Sequence, residues 1–80
     1  MSRSIHTPEH LALRELLIAA RKAGDLTQRD VAERIDRPQS FIAKYEGGER
    51  RVDVVEFVSI ARALNQDPVK LFAALVDTIK

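Results

Sequence analysis

Eighty residues without a cysteine make one small domain that must be stabilised by packing, because neither a disulfide framework nor a thiolate metal site is available. The formal net charge of +1 indicates neither a nucleic acid nor a membrane surface as partner. No segment approaches the roughly 18 apolar residues of a membrane helix, and residues 1–6 lack the apolar core of a signal peptide, so we expect a cytoplasmic protein without a membrane partner.

The first predicted helix begins with a strong start signal. Thr7 supplies a capping hydroxyl and Pro8 occupies the first helical position, with an acid following in the first turn. Gly24 supplies a stop, so we expect this helix to end near Ala23. Its apolar positions, which recur with the period of an α-helix, are Leu13, Leu16, Leu17 and Ala20.

Two short helices separated by a tight turn are predicted next. Thr27, followed three residues later by Asp30, resembles a capping box at the start of the first one. The turn falls at Asp36, which tolerates a left-handed backbone, and at Pro38, which opens the second helix as its first residue. This second helix is expected to run to about Glu46. Its inward-facing residues are Ile42 and Tyr45.

Two further helices complete the chain. The fourth is expected to run from Asp53 or Val54 to Leu64, and Asn65 can end it with a left-handed cap. Its expected core stripe consists of Val54, Phe57, Ile60, Ala61 and Leu64. The fifth helix starts at Pro68 and extends over about 68–79.

The fifth helix carries more apolar surface than the end of a four-helix core requires. We expect Leu71 to point into the core and the remaining apolar residues to form a twofold dimer interface. The expected interface residues are Phe72, Leu75, Val76 and Ile79. The alternative is that these residues only close the core and that the protein is a monomer that dimerises on DNA.

The five predicted helices and the lack of a strand pattern define an all-α fold. We expect a flexible tail over residues 1–7 and one domain over residues 8–80. The two short helices at about 27–46, joined by a tight turn, have the geometry of a DNA-reading helix-turn-helix.

Four blocks of sequence resemble the lambda-repressor-like, Cro and Xre family of helix-turn-helix transcriptional regulators. The blocks are RKAGDLTQ at 21–28, VAERI at 31–35, IAKYEGG at 42–48 and IARAL at 60–64. They follow the family's order without a gap between Arg21 and Phe72. The chain departs from the family at Asp25 and Asp36, where glycine is usual, and at Arg37 and Pro38, where an apolar residue and serine are common. The resemblance implies a compact five-helix DNA-binding domain.

The resemblance also implies which side chains read DNA bases. In this family the second helix of the motif enters the major groove, which places Gln39, Ser40, Ala43 and Lys44 against base edges. Gln39 suits bidentate bonding to adenine, whereas Lys44 suits guanine or a phosphate. Phe41 is open between two interpretations, namely contact with a thymine methyl group and packing within the domain.

Other residues are expected at the DNA backbone. Gln28 matches the family position that contacts a phosphate at the start of a helix, although a solvated glutamine is the alternative. Arg50 and Arg51 follow the motif on a loop that approaches the backbone in related folds, and Arg37 in the turn is a weaker candidate.

Arg21 and Glu46 match family positions that form an ion pair between the first helix and the end of the reading helix. We interpret this pair as structural, because it would fix the angle of the reading helix.

Catalytic and metal-binding interpretations find little support. His6 and His10 are four residues apart, but Pro8 lies between them and His6 precedes the helix. The carboxylate pairs lie on helix surfaces among arginines and are Asp30 with Glu33 and Glu46 with Glu49. We therefore expect no enzyme activity, no metal, no cofactor and no small-molecule ligand.

The function expected is that of a dimeric, sequence-specific DNA-binding regulator, and in particular a repressor that reads a palindromic operator. The alternative is an antitoxin-type or adaptor protein whose main contact is another protein. The polar cluster of Gln39, Ser40 and Lys44 beside three arginines favours DNA, because an adaptor has no use for it. Roles as a phage repressor, a restriction-modification controller and an antitoxin are not separated by the sequence.

Overall fold

The computed structural model describes residues 7–79, which form five α-helices without a strand. The helices are α1 (Pro8–Ala23), α2 (Gln28–Arg34), α3 (Gln39–Glu46), α4 (Val54–Ala63) and α5 (Pro68–Ile79). The all-α, five-helix expectation is therefore confirmed. The expected tail lies outside the described residues, apart from Thr7, and so does His6.

Side-chain caps explain why α1 and α2 begin where they do. The backbone N–H of His10 donates to the Thr7 hydroxyl at 3.2 Å. At the start of α2 the N–H of Asp30 donates to the Thr27 hydroxyl at 3.0 Å, and the N–H of Thr27 donates to the Asp30 carboxylate at 2.9 Å. The expected capping box is thus complete, and the hydrogen bond from Thr27 lowers the pKa of the Asp30 carboxyl.

A second capping box, which sequence reasoning missed, starts α4. The N–H of Glu56 donates to Asp53 Oδ1 at 2.7 Å, and the N–H of Asp53 donates to Glu56 Oε1 at 3.0 Å. Pro38 differs from its expected place, because its extended backbone makes it the N-cap of α3 and not the first helical residue.

Three non-glycine residues in the described part of the chain have a left-handed backbone, and each follows a helix. They are Asp25, Asp36 and Asn65, with φ angles of 58°, 57° and 61°. Asp25 and Asp36 are the two positions where the family usually has glycine. Aspartate tolerates this conformation better than most residues, so both departures preserve the turn.

All five helices contribute buried residues to the core. Ile42 and Tyr45 of α3 are buried, as the sequence predicts, and burial raises the pKa of the Tyr45 hydroxyl. The buried apolar residues are Leu17, Val31, Ala32, Phe41, Ile42, Tyr45, Phe57, Ile60, Ala61, Ala63, Leu64, Leu71 and Leu75.

Two expectations about burial are wrong. Val54 is expected in the core stripe of α4, yet it is 80% exposed at the first position of that helix. Leu75 is expected at a dimer interface, yet it is buried in the domain core. Leu75 lies one turn after the buried Leu71 on the same face of α5, and this face packs inward.

None of the described helices is both long and apolar enough to cross a membrane. Within residues 7–79, no three His, Asp or Glu side chains are grouped so that they could hold a metal ion.

Candidate nucleic-acid interface

One face of α3 presents the side chains that the resemblance assigns to base reading. Gln39, Ser40, Ala43 and Lys44 are all exposed. Positions separated by three or four residues lie close together on a helix surface, and such separations link the four residues into one patch. The opposite face of α3 is anchored in the core, which leaves this patch projecting from the domain.

Phe41 does not belong to that patch. Its side chain is only 6% exposed, and its ring meets the Tyr45 ring edge-on with 5.6 Å between centroids. The structure therefore supports packing within the domain over contact with a thymine methyl group. The physical reason is that Phe41 precedes the buried Tyr45 by one helical turn and shares its face.

The expected ion pair joins α1 to the end of α3. Arg21 Nε donates to Glu46 Oε2 at 2.7 Å, and Arg21 Nη2 donates to Glu46 Oε1 at 3.1 Å. Arg21 Nη1 also donates to the backbone carbonyl of Leu26 at 2.9 Å, which ties the loop before α2 to the pair. The hydrogen bond to Glu46 raises the pKa of Arg21.

Gln28 extends this ion pair to the base-reading patch. Its side-chain nitrogen donates to Glu46 Oε1 at 2.8 Å, and its side-chain oxygen accepts a hydrogen bond from Gln39 Nε2 at 3.4 Å. Sequence reasoning offers a phosphate contact or a solvated residue for Gln28 and misses this bridge. Glu46 lies 18 positions from Gln28 in the chain, and Gln39 lies 11 positions from it. No local sequence pattern therefore indicates the bridge.

The hydrogen-bonding capacity of each group determines which group donates and which accepts in this network. An ionised carboxylate only accepts hydrogen bonds, so Gln28 must turn its NH₂ group toward Glu46. Its carbonyl oxygen then faces Gln39, which must donate. Because each amide nitrogen carries two hydrogens, Gln39 keeps one N–H and its carbonyl oxygen for another partner.

A second cluster lies beside the patch, around the ring of Phe41. The guanidinium carbons of Arg37 and Arg50 each lie 4.5 Å from the ring centroid. Arg50 donates two hydrogen bonds of 2.9 Å to the Glu56 carboxylate, while Arg37 Nη2 lies 3.5 Å from Glu56 Oε2. The hydrogen bond from Arg50 lowers the pKa of Glu56 from 4.5 to about 2.

The arginines expected at phosphates therefore differ in their surroundings. Arg50 makes a bidentate ion pair and also donates to the Arg51 carbonyl at 2.7 Å. Arg37, the weaker candidate by sequence, has the longer ion pair and a side chain that is 44% exposed. Arg51 is exposed at the surface.

The expected dimer residues divide between surface and core. Phe72, Val76 and Ile79 are exposed on α5, whereas Leu75 is not. The Phe72 ring packs edge-on against Phe57 of α4 at 6.2 Å. The large exposed apolar residues that sequence reasoning did not assign to this surface are Leu11, Val54, Val55 and Val69.

Comparison with known proteins identifies the family. A sequence profile of the helix-turn-helix family matches residues 17–71. An XRE-family-like protein from Pseudomonas syringae pv. tomato str. DC3000 is 41% identical, with a TM-score of 0.87 over 98% of this chain and 95% of that one. No curated protein sequence matches the chain significantly.

Two solved structures at lower identity share the fold. The restriction-modification controller protein C.Esp1396I is 19% identical, with a TM-score of 0.82 over 91% of this chain and 96% of that one. The clp gene regulator ClgR from C. glutamicum is also 19% identical, with a TM-score of 0.78 over 92% of this chain and 96% of that one. The profile match and the XRE-family likeness show that the chain belongs to the XRE-like helix-turn-helix family of DNA-binding transcription regulators.

Proposed function

We propose that the protein binds double-stranded DNA sequence-specifically as a homodimer and represses transcription from a palindromic operator. The observation that carries the proposal is the network from Glu46 through Gln28 to Gln39. Through a long hydrogen bond of 3.4 Å it favours one orientation of the exposed Gln39 amide on α3, and base reading benefits from a polar group that is oriented before binding.

Each residue of the α3 patch has a base partner of matching chemistry. The free N–H and carbonyl oxygen of Gln39 suit N7 and N6 of adenine, and Lys44 suits the acceptors of guanine. Ser40 can bond to either base or backbone, and the Ala43 methyl group can contact a thymine methyl. Each bidentate contact contributes roughly 1–3 kcal/mol of discrimination between bases.

Contacts with the DNA backbone would orient α3, the reading helix. Gln28 keeps a second amide hydrogen at the start of α2, where the positive end of the helix favours a phosphate. Arg37 before α3 and Arg51 after it in the chain add positive charge. These contacts carry affinity and salt dependence without sequence information.

A second copy of the chain is the proposed occupant of the exposed apolar face of α5. Phe72, Val76 and Ile79 lie on it, and Phe72 joins it to Phe57 of the core. Val54 lies one turn before Phe57 on α4, so the apolar surface extends onto that helix. One short reading helix covers only a few base pairs, so two copies with half-sites about one helical turn apart give useful specificity.

Selection of binding sequences tests the proposal directly. Wild-type protein is titrated into a random duplex library by fluorescence anisotropy, the retained DNA is sequenced, and the binding is repeated with Gln39→Ala and Lys44→Ala. Lys70→Ala serves as the control, because it removes the same charge from an exposed site on α5. A palindromic motif whose preference is lost only in the α3 variants supports the proposal. Uniform or absent retention contradicts it and favours a protein partner.

A further inference from the structure

Two cations from different segments share one acid beside the reading patch. Arg37 lies in the turn between α2 and α3, Arg50 lies in the loop between α3 and α4, and both contact Glu56 of α4. The cluster therefore holds two positive charges and one negative charge around the ring of Phe41.

Glu56 holds the two arginines with unequal strength. Both guanidinium groups lie 4.5 Å from the Phe41 ring centroid, but Arg50 is also fixed by two hydrogen bonds of 2.9 Å to Glu56 and by its bond to the Arg51 carbonyl. Arg37 reaches the same carboxylate at 3.5 Å, which is at the outer limit of a hydrogen bond. Its more exposed side chain is thus the one that would reach another anion once Glu56 no longer holds it.

The cluster borders the patch that faces bases. An open depression of the surface is lined by Arg37, Pro38, Ser40, Phe41, Lys44, Glu49 and Arg50. Two base-reading candidates, Ser40 and Lys44, therefore share a concavity with both arginines. A DNA phosphate at this rim would meet Arg37 while the bases beside it meet α3.

We propose that Glu56 is a positioning residue that limits the affinity for the DNA backbone. It keeps Arg50 in its bidentate ion pair and holds Arg37 back from the phosphates of bound DNA. This inference rests on the proposed function, because it concerns the same DNA-binding surface. Its consequence is that binding to any duplex is weaker than the positive charge of the surface allows, whereas sequence preference is independent of Glu56.

The substitution Glu56→Gln removes the restraint with little change of shape. Glutamine is also a favoured residue at this position of a capping box, so the oxygen that accepts the Asp53 N–H remains. Arg37 then gains a phosphate contact on every duplex. One added contact steepens the dependence of log affinity on log salt by about 0.9.

The test measures affinity for the selected operator and for an unrelated duplex at several salt concentrations. Wild type, Glu56→Gln, Arg37→Gln and the double variant form a cycle, and thermal unfolding checks that each is folded. We expect Glu56→Gln to tighten binding to both duplexes and to steepen the salt dependence. The steepening should vanish in the Arg37→Gln background, and the ratio of the two affinities should stay constant.

Glu49→Gln is the matched control, since Glu49 is exposed and lines the same depression without an ion pair to any described residue. The inference would be overturned in favour of a net-charge effect if Glu49→Gln steepened the salt dependence of binding equally. The same conclusion would follow if Glu56→Gln steepened it in the Arg37→Gln background. Unchanged or weaker binding by folded Glu56→Gln would also overturn the inference. If wild type still prefers the operator and any of these results is found, the role of Glu56 is refuted but the proposed function is not. Wild type that binds no duplex refutes the proposed function and this inference together.

Discussion

Gln28 of α2 donates its side-chain amide hydrogen to Glu46 at the end of α3, with 2.8 Å between Nε2 and Oε1. The same carboxylate receives two hydrogen bonds from Arg21 of α1. Glu46 thus joins three helices through one side chain that is 7% exposed. Because Gln28 also accepts from Gln39, the position of an exposed α3 side chain depends on an ion pair within the domain.

Replacing Gln28 with alanine tests whether this bridge serves recognition. We expect Gln28→Ala to weaken binding to the selected operator about tenfold, which corresponds to about 1.4 kcal/mol. The loss should be largest for operators that carry the base read by Gln39, because that amide is no longer oriented. The control is Gln66→Ala, whose exposed side chain lies beyond α4. Equal effects of both variants, or none, would show that the bridge has no role in recognition.

The ion pair itself is expected to stabilise the fold. Glu46→Ala leaves Arg21 without its carboxylate, and the two side chains are only 13% and 7% exposed. Breaking such a pair costs about 3 kcal/mol, the low end for buried pairs, because Arg21 can still reach water. Urea unfolding of Glu46→Ala, Arg21→Met and the double variant measures this. The two single losses should exceed the double loss when added, and strict additivity would refute the coupling.

Gly48 has a backbone requirement, and an added Cβ there would also displace the end of the flexible Arg14 side chain. Its φ of +81° is unfavourable for other residues, and an added Cβ would lie 2.6 Å from Arg14 Nη1. We expect Gly48→Ala to lower the free energy of unfolding by about 1–3 kcal/mol. Gly24→Ala is the matched control, because its φ is −86° and its nearest neighbour would be 3.5 Å away. It should stabilise the protein by about 0.4–1 kcal/mol, and similar losses in both variants would show that Gly48 has no special requirement.

The parts of the fold that sequence reasoning predicted well are governed by local interactions. Thr7 and Thr27 cap helices through bonds to residues three positions away. Asp25 and Asp36 end helices through their own backbone conformation. Such signals are complete within one short segment, so the helix boundaries followed from them.

The features that sequence reasoning missed depend on tertiary packing. Periodicity places Val54 on the core stripe and Leu75 at the surface, but the packing of α4 and α5 decides both. Phe41 is surrounded by two arginines from separate loops, which no local pattern indicates. The candidate patch on α3 was predictable because the family resemblance assigns those positions to base reading. The contacts that Gln28 and Glu56 make with distant side chains are specific to this chain, so the resemblance does not indicate them.

The ion pair of Glu56 predicts a dependence of stability on pH. Arg50 lowers the pKa of this carboxyl in the folded state from 4.5 to about 2. The unfolded chain therefore takes up the proton first, and the stabilisation is complete above the ordinary pKa but is lost as pH falls toward 2. We expect the difference in free energy of unfolding between wild type and Glu56→Gln to shrink over this range. Urea unfolding at steps between neutral pH and about 2 measures it, and a difference that stays constant would refute the assignment.

The apolar face of α5 predicts a charge-sensitive dimer. Val76→Glu places a carboxylate on this face, and we expect the dimer dissociation constant to rise at least about tenfold, since burying an unpaired charge is costly. Ala74→Glu is the control, because Ala74 is exposed on the side of α5 that carries Lys70 and Asp77. Sedimentation equilibrium measures assembly, and circular dichroism measures folding. Leu75→Ala leaves a cavity in the core and should instead lower the free energy of unfolding by about 2–5 kcal/mol. A folded Val76→Glu protein that remains dimeric would place the interface elsewhere, whereas a monomer that binds single half-sites weakly would connect the α5 face to operator recognition.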